Sequence, residues 1–201
     1  MNLLNYFLKQ ELDEVIGKDL TKPITYKDIE ELPYCEAIIK EVYRNIPVIF
    51  VNSRMSVEDD NVGGYNWSKG TVFQMLYSSI MKRKDYWTDP EKFDPDRFYK
   101  VEESDEYLLE KQKIKSSFSM FGGGIKICPG RKLAIIVLKY LLASIYRKYD
   151  IEMADMNAPL KYKSELLNSS EERLNQESSN LCLVNYCLFV YCTFFLFIFI
   201  K

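Results

Sequence analysis

Apolar residues recur every three or four positions in three stretches of the chain, and this spacing predicts three amphipathic helices. The stretches are residues 5–16, 34–45 and 129–148. A fourth, short helix that ends before Pro33 is predicted by Thr25 and Asp28, which have the spacing of a capping box. The apolar positions that define the three faces are Leu8, Leu12 and Val15 in the first helix, Ile38, Ile39 and Val42 in the second, and Leu133, Ile136, Val137, Tyr140 and Leu141 in the third.

Between the second and third helices the pattern changes to the period of two that is typical of strands. The glycine pair 63–64 marks a turn, and residues 77–83 favour a helical turn. Residues 101–115 are rich in charge without periodicity, which predicts an exposed loop. We therefore predict a mainly α fold with a small antiparallel β sheet, an α+β class. The strand-like runs are residues 48–51, 53–57 and 71–76.

The segment before the final lysine, which we call the apolar tail, follows neither period. Residues 181–200 hold 18 apolar residues, interrupted only by Asn185 and Thr193. A helix rises about 1.5 Å per residue, so this length reaches about 30 Å, the thickness of a bilayer core. The tail therefore predicts a C-terminal membrane anchor that leaves the body on the cytosolic side. Its residue types also have uracil-rich codons, and a translated non-coding stretch is the alternative that the residues leave open.

The composition excludes several kinds of catalytic and binding site. The chain has 27 Lys plus Arg against 29 Asp plus Glu, a net charge of −2, and no histidine. Without histidine it forms neither Ser-His-Asp nor Cys-His catalytic sets, nor a haem site with a proximal imidazole. A near-neutral chain also lacks the strongly basic face that nucleic-acid binding requires, so no nucleic-acid partner is predicted.

Four of the eight glycines lie in residues 121–130, FGGGIKICPG, which we call the cysteine loop. The spacing does not match a phosphate-binding P-loop. Pro129 suits the first position of a helix, which would place Cys128 at the N-cap, where the helix dipole favours a thiolate. Such a thiolate is a candidate axial ligand for haem iron. An inert small residue beside a glycine turn is the alternative, and the loop by itself does not decide between them.

Four motifs, in order along the chain, resemble those of the cytochrome P450 family, the haem-thiolate monooxygenases. Glu-x-x-Arg appears as Glu41 and Arg44, and a strand pair ending in Lys-Gly-Thr appears as residues 63–71. Pro-Glu-Arg-Phe appears as residues 95–98, with Asp96 in place of the glutamate. The family's haem loop reads Phe-x-x-Gly-x-Arg-x-Cys-x-Gly. Its positions are matched here by Phe121, Gly124, Cys128 and Gly130, with Lys126 in place of the arginine.

This resemblance implies that haem is the cofactor and that Cys128 is the axial ligand of its iron. Phe121 would shield the thiolate, and Gly124 and Gly130 would allow close approach of the backbone. Two cations would face the haem propionates. They are Lys126, which keeps the charge of the usual arginine but loses its bidentate fork, and Arg54 on a strand, for which an unpaired surface arginine is the alternative.

The resemblance also implies that Glu41, Arg44 and Arg97 form a structural lock. Residues three apart on a helix project from one face and can share a partner, and the implied partner is Arg97. A buried pair of this kind needs further hydrogen bonds to offset its desolvation. A solvated helical ion pair worth a few tenths of a kcal/mol is the alternative for Glu41 and Arg44.

The implied activity is insertion of one oxygen atom into a small organic or lipid-like substrate, with electrons from a reductase partner. The resemblance covers residues 1–170, the C-terminal part of the family's fold, followed by a polar linker at 171–180 and the apolar tail. The family's oxygen-activating acid-alcohol pair has no counterpart here, so no catalytic residue is assigned. A truncated, non-catalytic, membrane-tethered remnant that binds at most haem or protein is the alternative. The predicted location is an endoplasmic reticulum-like membrane through the tail, or the cytoplasm if the tail is not real.

Overall fold

The computed structural model describes residues 3–49, 51–99, 112 and 114–149. This part of the chain is rich in helix and has small antiparallel sheets, as the pattern predicts. The helices are α1 Leu3–Val15, α2 Tyr26–Glu30, α3 Pro33–Asn45, α4 Tyr77–Ile80, α5 Asp96–Tyr99 and α6 Arg131–Lys148. The strands are β1 Val51–Met55, β2 Asp60–Val62, β3 Tyr65–Trp67 and β4 Val72–Leu76.

The chain divides into two compact units. The first combines residues 1–30 with 132–201, and the second is residues 31–131. Both candidate sites named above, the lock and the cysteine loop, belong to the second unit. The first unit is built from α1, α2 and most of α6, which are distant in sequence.

The core of the first unit consists of one apolar stripe from each of its long helices. The helix α1 ends at Val15, and Gly17, two residues later, has a φ of +91°, a conformation that favours glycine. The predicted capping box before α2 is confirmed, because the Thr25 N–H donates to Asp28 Oδ2 at 2.9 Å and the Asp28 N–H to Thr25 Oγ1 at 3.3 Å. These bonds lower the pKa of Asp28. The buried core residues of this unit are Leu8, Leu12, Ile16, Ile29, Ala134, Leu138, Leu142, Ala143 and Tyr146.

The structure corrects the expected face and start of the last long helix. The helix α6 begins at Arg131, two residues later than predicted. Leu133 and Tyr140 of the predicted stripe are 49% and 48% exposed, and the stripe that begins at Ala134 and continues at Leu138 is buried instead. The helix is apolar on more than one face, so its spacing does not identify which face meets the core.

Arg147, near the end of α6, holds the loop that follows α1. Its Nη2 donates to the Asp19 carbonyl at 2.6 Å, and its Nη1 donates to the Lys22 carbonyl at 3.3 Å. Lys22 in turn donates through Nζ to the Ile16 carbonyl at 3.1 Å. The Ile16 carbonyl lies at the C-terminal end of α1, where carbonyls lack partners within the helix and a cation is favourable. The loop is therefore tied to both long helices of the first unit, α1 and α6.

We expect Arg147→Lys to lower the free energy of unfolding by about 1 kcal/mol, because an ammonium cannot reproduce the guanidinium fork that serves the carbonyls of Gly17, Asp19 and Lys22. Urea unfolding followed by circular dichroism measures this. Lys148→Ala, at the exposed neighbouring position, is the control and should leave the midpoint unchanged. Equal midpoints for Arg147→Lys and the wild-type chain would contradict the assigned role of Arg147.

The second unit contains α3 and two separate two-stranded sheets, whereas the sequence pattern predicts a single sheet. The strands β1 and β4 pair antiparallel from Val51 opposite Leu76 to Met55 opposite Val72. The strands β2 and β3 form a hairpin whose turn is the predicted glycine pair 63–64, with φ of +65° and +84°. Residues 48–49 are irregular, contrary to the prediction of a strand, since β4 ends opposite Val51 and offers them no partner.

Several predictions concern segments outside the described residues. The linker at 171–180, the apolar tail and most of the charged segment at 101–115 lie there. Of the charged segment, residues 112, 114 and 115 are helical, contrary to the loop prediction, and the helical turn continues to 117. Within the ranges that the structure describes, each helix is either too short or too polar to cross a bilayer.

Candidate functional site

The lock begins with an ion pair inside α3. Glu41 and Arg44 are both fully buried, and Arg44 donates from Nε to Oε2 and from Nη2 to Oε1 of Glu41, each at 2.8 Å. This bidentate geometry is the strongest form of an arginine–carboxylate pair. The alternative of a solvated ion pair is therefore wrong for these two residues.

Further hydrogen bonds surround the pair and offset its desolvation. The Arg44 Nη1 donates to the carbonyls of Met81 at 3.1 Å and Pro90 at 2.7 Å, and Nη2 donates to the carbonyl of Lys92 at 3.1 Å. The Glu41 Oε1 accepts the backbone N–H of Asp94 at 2.8 Å. Every one of these outer partners lies between α4 and α5. The pair thus fixes a segment whose own described backbone hydrogen bonds are confined to isolated turns.

The structure brings Arg97 to the same carboxylate, but more loosely than the resemblance implies. The Arg97 Nε lies 3.8 Å from Glu41 Oε1, an ion-pair distance that is too long for a hydrogen bond. Its Nη2 donates to the Asp89 carbonyl at 2.9 Å. The Arg97 Nε is buried and has no hydrogen-bond partner among the described residues. The three predicted lock residues are therefore together, and Arg97 joins them mainly through charge.

An aromatic cluster, which sequence reasoning missed, lies beside the lock. The Arg44 guanidinium carbon is 5.3 Å from the ring centroid of Trp87, within the range of a cation–π contact. Trp87 also contacts Phe98 and Phe118, and Phe118 contacts Tyr43. The signal that was available is the density of aromatics and prolines in residues 86–99, but no periodicity links those residues to α3.

The cysteine loop is closed by its own backbone. The Cys128 N–H donates to the Phe121 carbonyl at 2.9 Å, and the Ile127 N–H donates to the Gly124 carbonyl at 3.2 Å across a 3₁₀ turn at Gly124–Lys126. Gly124 has φ of +64°, a conformation that side-chain-bearing residues rarely adopt. The glycine at this position therefore permits the turn that brings Cys128 back to Phe121.

One side of this loop is open. The side chain of Ile125 is fully exposed, and Cys128 is half-buried. A Cβ added to Gly124 would meet no atom within 4 Å. The expected N-cap position of Cys128 is not observed, because α6 begins at Arg131, three residues later, although the Arg131 N–H does reach the Cys128 carbonyl at 3.4 Å.

The two predicted propionate partners, Arg54 and Lys126, have different surroundings in the structure. Arg54, on β1, donates from Nη1 to Asn52 Oδ1 at 3.0 Å and to the Ser53 carbonyl at 3.1 Å. Its described hydrogen bonds thus stay on its own strand. The side chain of Lys126 is exposed at the 3₁₀ turn, four residues after Gly122.

The chemistry of the loop fits a haem group. The loop carries one thiol, that of Cys128, and two exposed apolar side chains, Ile125 and Ile127. A haem-thiolate site needs one thiolate ligand, and exposed apolar side chains suit a largely apolar ring. Gly124 leaves space on the same loop for close approach of a flat ligand. No group of three or more His, Cys, Asp or Glu side chains that could hold a bare metal ion occurs in the part of the chain that the structure describes.

Comparison with known proteins agrees with these observations. The family model described as "Cytochrome P450" matches residues 7–175. The chain is 31% identical over 158 residues to "Cytochrome P450 4V2" of Mus musculus, covering 79% of this chain and 29% of that protein. It is 31% identical over 160 residues to "Flavonoid 3'-monooxygenase" of Arabidopsis thaliana (78% and 30%) and 34% identical over 149 residues to "Berbamunine synthase" of Berberis stolonifera (74% and 29%). The chain thus spans 29% to 30% of the length of these three relatives.

Proposed function

Because the chain belongs to the cytochrome P450 family, we propose that it binds haem through the thiolate of Cys128 and serves haem-thiolate monooxygenation. The observation that carries this proposal is the cysteine loop. Its only thiol stands half-buried on a loop that the Cys128 N–H closes against the Phe121 carbonyl at 2.9 Å. The open side with Ile125 offers the apolar contact that a porphyrin requires.

In this proposal each part of the loop has a separate task. Cys128 would hold the iron, and the hydrogen bond from its N–H to the Phe121 carbonyl would limit the movement of the ligating residue. Gly124 and Gly130 would let the ring approach the backbone closely, while Lys126 and, from β1, Arg54 would supply positive charge for the propionates. When bound, haem supplies the capacity to activate dioxygen and to insert one oxygen atom into an organic substrate.

The lock has a supporting task. The ring of carbonyls around Arg44 and the backbone N–H of Asp94 on Glu41 hold the segment between α4 and α5 in one conformation. A site that binds a rigid cofactor needs support of this kind, because small displacements of a ligand weaken coordination. Electrons would come from a reductase, and the substrate would be a small organic molecule.

A haem titration of the full-length chain tests the proposal. We expect the wild-type chain to bind haem and, once reduced in carbon monoxide, to give the red-shifted Soret band that is characteristic of thiolate ligation. Cys128→Ala should lose that band completely, because no other described cysteine lies on the loop. Cys35→Ala, which removes the buried cysteine of α3, is the matched control and should retain it.

Two results would contradict the proposal. Identical spectra for Cys128→Ala and the wild-type chain would show that Cys128 does not hold the iron. Failure of the folded wild-type chain to bind haem would favour the non-catalytic remnant.

A further inference from the structure

Trp87 contacts both the lock and the residue that leads into the cysteine loop. It is 1% exposed and lies in the irregular segment between α4 and α5. Its ring is 5.3 Å from the Arg44 guanidinium carbon, and its centroid is 6.4 Å from that of Phe118. We propose that Trp87 is a positioning residue that couples the geometry of the lock to the cysteine loop. Its effect on haem ligation rests on the proposed function, whereas the coupling itself does not.

Phe118 is the point at which this coupling reaches the loop. Its N–H donates to the Ile114 carbonyl at 2.8 Å, so it ends the helical turn at 114–117 and stands three residues before Phe121. Its ring contacts Phe98 at 4.8 Å and Tyr43 at 6.0 Å as well as Trp87. These partners come from α5, from α3 and from the segment between α4 and α5. The ring of Phe118, just before the cysteine loop, thus contacts three separate parts of the second unit.

The indole N–H of Trp87 takes no part in this arrangement. The Trp87 Nε1 is buried and has no hydrogen-bond partner among the described residues. An unsatisfied buried donor is unfavourable, so the polar atom is not the reason for a tryptophan here. The large aromatic ring instead makes the contacts described above, one with the Arg44 guanidinium and one with Phe118.

If the ring of Trp87 matters and its N–H does not, two substitutions at this position should have different effects on the cysteine loop. Trp87→Phe keeps an aromatic ring between Arg44 and Phe118 and removes the unsatisfied donor. Trp87→Ala removes the ring and leaves a cavity into which Phe118 can move. Phe118 lies three residues before Phe121, whose carbonyl accepts the Cys128 N–H, and we expect its displacement to loosen the closure of the loop.

Amide hydrogen exchange of the full chain without added haem tests the coupling directly. We expect Trp87→Ala to speed exchange at the amides of Phe118 and Cys128 by about tenfold or more, while exchange at Leu138 in α6 stays unchanged. Trp87→Phe should remain within about twofold of the wild-type rates. Trp67→Ala, which removes the partly exposed tryptophan of β3, is the matched control and should change neither amide.

Global unfolding of Trp87→Ala would be recognised by fast exchange at Ile39 in α3, and Trp87→Leu is then the variant to measure. Trp87→Leu fills much of the cavity but has no aromatic face for Arg44 or Phe118, so the same local increase is expected. Wild-type rates for Phe118 and Cys128 in a folded Trp87→Ala or Trp87→Leu chain would overturn the coupling. Equal increases in Trp87→Phe and Trp87→Ala would overturn the conclusion that the ring, and not the N–H, matters.

A second measurement links the coupling to haem. In the haem-loaded chain we expect Trp87→Ala to shift much of the reduced carbon monoxide complex away from the thiolate-type Soret band, and Trp87→Phe to restore it. A purely stabilising role would lower haem uptake in proportion to folded protein without changing the band position. If no variant, including the wild-type chain, bound haem, the proposed function would fail, while the exchange result would still decide the coupling.

Discussion

Replacing Arg44 by leucine is expected to lower the free energy of unfolding of the second unit by about 3–5 kcal/mol. The substitution leaves Glu41 as a fully buried carboxylate without its cation, and it also removes the donor for the carbonyls of Met81, Pro90 and Lys92. Domains of this size have total stabilities of about 5–15 kcal/mol. The loss is therefore a large fraction of what holds the unit folded. Urea unfolding followed by tryptophan fluorescence measures it, because both tryptophans, Trp67 and Trp87, lie in the second unit.

Two further variants make this prediction specific. The double variant Glu41→Leu with Arg44→Leu should be less destabilised than Arg44→Leu alone, because no unpaired charge is then buried. Lys40→Ala breaks the half-exposed pair of Lys40 with Glu36, whose atoms are 2.7 Å apart, and should cost less than about 0.5 kcal/mol. A cost for Arg44→Leu that is no larger than that for Lys40→Ala would show that the buried pair contributes little to stability.

The second large effect is expected from Gly124→Val. A β-branched residue at φ of +64° is strained, which should cost about 2 kcal/mol of stability. The added side chain would also stand in the open space beside the cysteine loop, where the proposed haem approaches. We therefore expect haem affinity to fall by at least about tenfold, equivalent to about 1.4 kcal/mol. Denaturation of the haem-free chain and titration with haem measure the two losses separately.

Gly123 is the matched control for this substitution. It has an extended backbone with φ of −153°, and a Cβ there would also meet no atom within 4 Å. Gly123→Val should accordingly cause little backbone strain, although it lies in the same loop. Equal stability losses at the two glycines would mean that the left-handed conformation of Gly124 is not what requires glycine there.

The helices α1, α2 and α3 are predicted closely by the sequence because their signals are local. Apolar spacing marks the buried faces, Gly17 and Pro33 mark ends, and Thr25 with Asp28 starts α2. In the second unit, the position of Glu41 and Arg44 on one face of α3 follows from the same helical geometry. Caps and periodicity act within a few residues, so they can be read without knowing the tertiary structure.

The partners of these elements are not predictable in the same way. The carbonyls that surround Arg44 belong to residues 37 to 48 positions away, in a segment without periodicity. The face that α6 buries depends on which of its apolar stripes meets a partner, and the spacing of Leu133 and Tyr140 suggested the exposed one. Because that helix begins at Arg131, Cys128 does not lie at its N-cap as predicted. Each of these wrong predictions concerns a feature that is determined by tertiary packing and not by local sequence.

The sequence separation of the contacts has a consequence for the order in which the chain acquires structure. The hydrogen bonds of Glu41 and Arg44 join residues 3 to 53 positions apart. In the first unit, by contrast, Lys139 reaches the Ile29 carbonyl across 110 positions and Arg147 reaches Lys22 across 125. During synthesis from the N-terminus, the second unit can close while α6 is still untranslated, whereas the apolar face of α1 must wait for it. A free chain truncated after residue 131 should therefore already protect the backbone amides around Glu41 and Arg44 from hydrogen exchange, while the apolar face of α1 stays without its α6 partner.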